Sequence, residues 1–117
     1  MIIYNHMVVD TGTPDRLFHA LADATRRDIV MRTMTTELSV SALARLYPMS
    51  FAAVQKHVGL LERVGLVTKR RRGREQLVRG NRAAIAEIRR HLDRLEELWR
   101  DRIDRAEQLL KSEGGGR

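Results

Sequence analysis

Between Lys69 and Arg74 the chain sets five cations in six positions: Lys69, Arg70, Arg71, Arg72 and Arg74, interrupted only by Gly73. Like charges so close repel, so the run makes physical sense mainly if something anionic sits against it. Guanidinium forks suit phosphate or carboxylate oxygens, to which they donate in pairs. The plainer reading is a solvated charge run. Just upstream, Val54, Val58 and Leu61 recur at spacings of four and three, the apolar face of a helix. Facing away from that stripe are Phe51, Ala52, Gln55, Lys56 and Gly59. Gln55 can bond adenine through both of its edge atoms, and Lys56 can reach guanine or a phosphate. Phe51 and Ala52 offer apolar contact to thymine methyls, although an aromatic in a first helical turn is slightly more often packed on the core. Ser50 is a good N-cap, and a helix N-terminus itself favours a phosphate.

The charge distribution sharpens this. The chain of 117 residues carries a net +7, yet residues 1–48 balance at five Arg against five acidic residues. Residues 49–80 hold eight Lys or Arg against Glu62 and Glu75, and residues 81–111 hold eight basic against seven acidic residues. Nearly all the excess lies in the middle third, a local electropositive patch that points to nucleic acid, or less often to an anionic membrane surface. The absence of cysteine removes disulfides, thiolate metal sites and thiol catalysis together. No nucleophile motif or phosphate-binding glycine loop is present, and the carboxylates lie on charge-paired helix faces, so no enzyme is expected. No apolar run approaches membrane-spanning length, and "MIIYNHMVV" lacks the n- and h-regions of a signal peptide, which points to a cytoplasmic protein.

The elements that must position these residues follow from caps and periodicity. Residues 1–12 read as an N-terminal arm or a strand, with Met7 an alternative start. Thr13, Pro14 and Asp15 signal a first helix with Leu17, Phe18 and Leu21 on its stripe. Thr25 and Asp28 stand at capping-box spacing for a second. Around "TELSV" the chain turns, and Leu43 and Leu46 mark a short third helix stopped by Tyr47-Pro48. Gly65 ends the fourth helix, and "LVTKRR" and "EQLVR" flank Arg72-Gly73 as a tight β-hairpin. From Asn81 onward, Ile85, Leu92, Trp99 and Ala106 repeat every seven residues beside Ile88, Leu95 and Leu109, a seam for pairing with another helix. The expected architecture is a mainly α winged helix-turn-helix over residues 13–111, with a long C-terminal dimerisation helix and a flexible tail at 112–117.

With that order established, the chain resembles the arsenic-repressor (ArsR-type) family of bacterial winged-helix regulators. The matching stretches are "LADATRR" (21–27), "LSVSALA" (38–44), "MSFAAVQKHVGLLERVGLV" (49–67) and "RRGR" (71–74), within a similarity spanning roughly Arg16 to Trp99. The resemblance implies a homodimeric repressor on near-palindromic double-stranded DNA, released by a signal that the sequence leaves unknown. It also implies an interface through the first and last helices, here Leu17 with Ile85, Ile88, Leu92, Leu95 and Trp99. Metal-sensing members carry Glu-Leu-Cys-Val-Cys-Asp in the third helix, whereas Glu37 to Ala42 reads "ELSVSA". Serine is a poor soft-metal ligand. The family's second metal site uses His and carboxylates on the last helix, which here has His91 with Glu87 one turn earlier. His57 matches a histidine common in the family, structural or phosphate-facing. Neither metal site and no cofactor are expected. Two other readings are an interaction scaffold that uses the last helix for a different partner, and an RNA-binding winged helix.

Overall fold

The computed structural model describes residues 2–4, 7–9 and 13–115. Strands β1 (Ile2–Tyr4) and β2 (Met7–Val9) pair antiparallel with each other, so part of the expected arm is a hairpin. Next come α1 (Thr13–Ala20), α2 (Ala24–Thr35), β3 (Leu38–Ser39), α3 (Val40–Ala44) and α4 (Phe51–Arg63). Strands β4 (Val67–Arg72) and β5 (Glu75–Gly80) and helix α5 (Arg82–Gly115) complete the chain. The three-stranded sheet has the order β3-β5-β4 and is antiparallel throughout.

Local chemistry sets most boundaries. Ser50 accepts from the Ala53 amide at 3.1 Å and starts α4, as its sequence position predicts. Gly65, at φ 85°, takes the left-handed conformation that closes it. Asn81 serves two elements: its Oδ1 accepts from the Ala83 amide at 3.1 Å, and its Nδ2 donates to the Gly65 carbonyl at 2.8 Å. The start of α5 is thereby tied to the end of α4.

Several expectations are corrected. The N-cap of α2 is Asp23, which accepts from the Arg26 amide at 2.9 Å, rather than Thr25. That amide holds the Asp23 carboxyl below its usual range. Asp28 is drawn elsewhere: it accepts from the Tyr47 hydroxyl at 2.6 Å and from Arg32 at 2.7 Å, which hold its carboxyl below the usual range. Burial, reinforced by Asp28, pushes the Tyr47 phenol up to about 12. The link fastens the turn between α3 and α4 to α2. Helix α3 stops at Ala44, leaving Leu46 exposed beyond it. The hairpin turn is Gly73-Arg74, one residue later than expected, since Arg72 pairs with Glu75; Gly73 has the positive φ, 61°, of a primed turn. Helix α5 runs on through Gly115, so residues 112–115, expected in a flexible tail, are helical. No proline intervenes, and the repeating backbone bonds simply continue.

The core gathers one stripe from every helix: Leu17 of α1, Ile29 of α2, Leu43 of α3, Val54, Val58 and Leu61 of α4, with Val78 of β5 and Ile88 of α5. Gly80 is where the sheet meets α2. A Cβ there would lie 2.9 Å from Met34 Sδ, closer than Cβ contacts come, and 3.1 Å from the Met34 backbone nitrogen, so both α2 and the methionine would have to give way. Gly80→Ala is therefore expected to destabilise the fold by about 1–3 kcal/mol in denaturant melts, the usual cost of overpacking.

Candidate nucleic-acid interface

Helix α4 buries Val54, Val58 and Leu61 and leaves Phe51, Ala52, Gln55 and Lys56 exposed. Phe51, where packing on the core is the slightly better expectation, is instead 46% exposed. It lines a cleft of about 430 Å³ with Gln55 on one wall and Lys69, Arg74 and Gln76 of the hairpin on the other. Recognition-type side chains and the cationic loop thus face one concavity.

The five hairpin cations do not share one fate. Lys69 Nζ lies 3.3 Å from Glu62 Oε1 of α4. Arg70 grips Glu37 with both arms, Nε at 2.8 Å and Nη2 at 2.7 Å, holding that carboxyl below its ordinary range. Both pairs brace the hairpin, against α4 and against the α2–β3 loop. Arg71, whose Nε donates to the Gly73 carbonyl at 3.2 Å, has no carboxylate partner among the described residues, and neither has Arg72 or Arg74. The hairpin cations without an ion pair among the described residues thus sit at its tip.

On the other flank of α4, Arg26, Lys56, His57 and Arg63 surround a depression of about 530 Å³. Arg26 is held by the Ala20 carbonyl at 2.7 Å, and its Nη1 lies 3.3 Å from His57 Nδ1. Sequence reading passed over Arg26 and Arg63, although Arg63 lies one turn beyond Gly59 on the same helix. Cations therefore border α4 on both sides, the arrangement needed to straddle a phosphate-lined groove.

Two residues assigned to an interface between chains lie inside this one. Leu17 is 1% exposed and Ile88 7%, packed in the same core, and Ile85 is half-buried. Beyond them α5 leaves the body, and Leu92, Leu95 and Trp99 are 52%, 60% and 61% exposed. Leu98, Ile103, Leu109 and Leu110 extend this apolar surface.

The serines standing at thiolate positions have other duties. Ser39 caps α3, accepting from the Ala42 amide at 3.0 Å, and Ser41 lines the cleft. His91 stands edge-on to Phe18, ring centroids 6.4 Å apart. Among the described residues no group of three or more His, Cys, Asp or Glu is placed to hold a metal ion.

Two helices joined by the short connection 45–50, the second lying beside a basic hairpin and the whole carried on a long C-terminal helix, define a winged helix-turn-helix protein. No family model matches the chain. It is 38% identical over 102 residues to the HTH-type transcriptional regulator Rv2034 of Mycobacterium tuberculosis, covering 87% of this chain and 92% of that protein. An ArsR-like transcriptional regulator from Rhodococcus sp. RHA1 superposes with a TM-score of 0.76 at 31% identity, over 87% of this chain and 96% of the other. The ArsR family transcriptional regulator RHA00566 gives 0.73 at 28% identity, over 80% and 97%. The chain belongs to the ArsR family of transcriptional regulators.

Proposed function

We propose that this regulator is a homodimeric repressor that reads near-palindromic double-stranded DNA, with α4 in the major groove and the hairpin as a wing on the flanking phosphates. One observation carries the reading: exposed Gln55 and Phe51 share a cleft with the hairpin, at whose tip Arg71, Arg72 and Arg74 have no carboxylate partner among the described residues. Base-reading and phosphate-binding groups are thus set side by side on a braced frame. The ion pairs Lys69–Glu62 and Arg70–Glu37 hold the wing before DNA arrives, so less order remains to be imposed on binding. Arg63 and Lys56 serve as phosphate contacts on the opposite flank. No catalytic role is assigned, and a cytoplasmic location follows from the DNA partner. No helix among the described residues is long and apolar enough to cross a membrane.

Specificity is expected at the start of α4. Gln55→Ala should weaken operator binding by about 1–3 kcal/mol per half-site, the worth of a bidentate base contact. Binding to random duplex should change little. Competition titrations on both DNAs check this, and equal losses would remove Gln55 from base readout.

Release from DNA is expected to be independent of metal. With Ser39 engaged as a cap and His91 edge-on to Phe18, zinc, cadmium or arsenite at micromolar levels should leave operator affinity unchanged. Binding of two metal equivalents per dimer, coupled to DNA release, would contradict this and revive a site built on His91.

A further inference from the structure

A second concavity, of about 440 Å³, lies apart from α4 and the wing, between α2 and the first turn of α5. Its walls are Val30, Met31 and Met34 of α2 and Ile85 of α5, all apolar. Arg27 and Arg82 stand on the rim, and no carboxylate lines it. Arg27 donates Nη1 to the Leu21 carbonyl at 2.7 Å, and neither arginine forms an ion pair among the described residues.

We propose that this groove binds a small apolar carboxylic acid, with an aliphatic body on the methionines and its carboxylate between Arg27 and Arg82, and that this ligand sets DNA affinity. The volume falls in the range of small-molecule sites, which pair an apolar lining with a few convergent polar groups. Two thioethers give an adaptable wall that accepts flexible chains without a fixed shape. Two guanidiniums without an ion pair among the described residues select an anionic head over a neutral or cationic one. Met31, 68% exposed, is a large apolar side chain left to solvent on this wall, and a bound chain would cover it. A second copy of the chain fits less well, because the exposed seam of α5 starts at Leu92, about two helical turns beyond Ile85.

The groove is also placed to act at a distance. Met34, on its wall, is the residue packed against Gly80 at the end of β5. Asn81 follows at once as the cap of α5, and Ile85 lies one turn later. A ligand that moves Met34 or Ile85 therefore bears on the joint between the wing and the helix carrying the dimer seam. Differential binding to two settings of that joint is what coupling between two sites requires.

Calorimetric titration of the full chain with decanoate, below its micelle concentration, tests the site directly. Saturable binding of one decanoate per protomer is expected, with decylamine and acetate each weaker by about tenfold or more, the worth of one strong polar contact or a short apolar stem. Arg27→Gln with Arg82→Gln should cost about the same factor. Met31→Asp, at an exposed position, should abolish binding while thermal melts stay unchanged. Absent saturation, equal binding of decylamine, or affinity unaltered by both variants would overturn the site. So would a Met31→Asp chain that no longer dimerises, which would give the groove to the second copy. The regulatory half rests on the DNA-binding reading: decanoate should shift operator affinity in the parent and not in Met31→Asp, and an operator affinity that decanoate leaves unmoved would overturn that half. Calorimetry needs no DNA, so failure of the site and failure of the DNA reading are told apart.

Discussion

A chain carrying both Leu92→Glu and Leu95→Glu is expected to sediment as a monomer and to lose operator binding in the same step. Both leucines are more than half exposed on a single chain, so the core that includes Leu17 and Ile88 does not depend on them. Thermal melts under monomeric conditions should show a folded domain. What the substitutions remove is the reason for two chains to pair. Each buried leucine contributes about 1.5–3 kcal/mol, and glutamate in its place brings an unpaired charge to an interface that cannot solvate it. Two-fold symmetry doubles both effects, so four carboxylates would face one seam. Loss of the dimer separates two half-site contacts and forfeits an avidity on the order of 10²–10⁴. Sedimentation velocity checks the first half and operator titration the second. A stable wild-type monomer at micromolar concentration would defeat the dimer, and so would a double variant that still pairs.

Replacing Arg71, Arg72 and Arg74 with Ala is expected to lower affinity on every duplex and to flatten its salt dependence, leaving sequence preference largely intact. These three are the hairpin cations without a carboxylate partner among the described residues, whereas Lys69 and Arg70 are committed to Glu62 and Glu37. Each phosphate neutralised contributes about −0.9 to the log–log salt slope, so six arginines per dimer would contribute up to about five units. A matched Arg70→Ala chain should behave differently. It loses the brace to Glu37 and changes the slope little, because that guanidinium is already paired. An unchanged slope in the triple variant would mean that the hairpin points away from DNA and that its charge is merely solvated.

Much of this was legible in the sequence wherever the cause is local. Ser50, Gly65 and Asn81 act through backbone groups two or three residues away, and their spacing alone announces them. The buried face of α4 follows from three valine and leucine positions at helical period. What stayed hidden depends on partners distant in the chain. Arg70 looks identical to Arg72 until Glu37, 33 residues away, is folded beside it. Asp28 looks like half of a capping box until Tyr47 claims it across 19 residues, leaving Asp23 as the cap. Leu17 and Ile88 lie on apolar stripes that could serve a partner or the chain's own core, and only packing decides between them. Two-residue β3 has no periodicity to read and exists because β5 offers it an edge.

Whether α4 and the wing of a dimer read duplex sequence is decided by selecting bound molecules from a pool of random duplexes. Enrichment of a near-palindromic consensus is expected, with half-sites about 34 Å apart, one DNA turn, or a multiple of it. The same selection with Gln55→Ala should relax the consensus at the positions that glutamine reads. Duplexes that are retained by charge yet show no enriched sequence would contradict the claim, leaving a basic protein that holds nucleic acid without reading it.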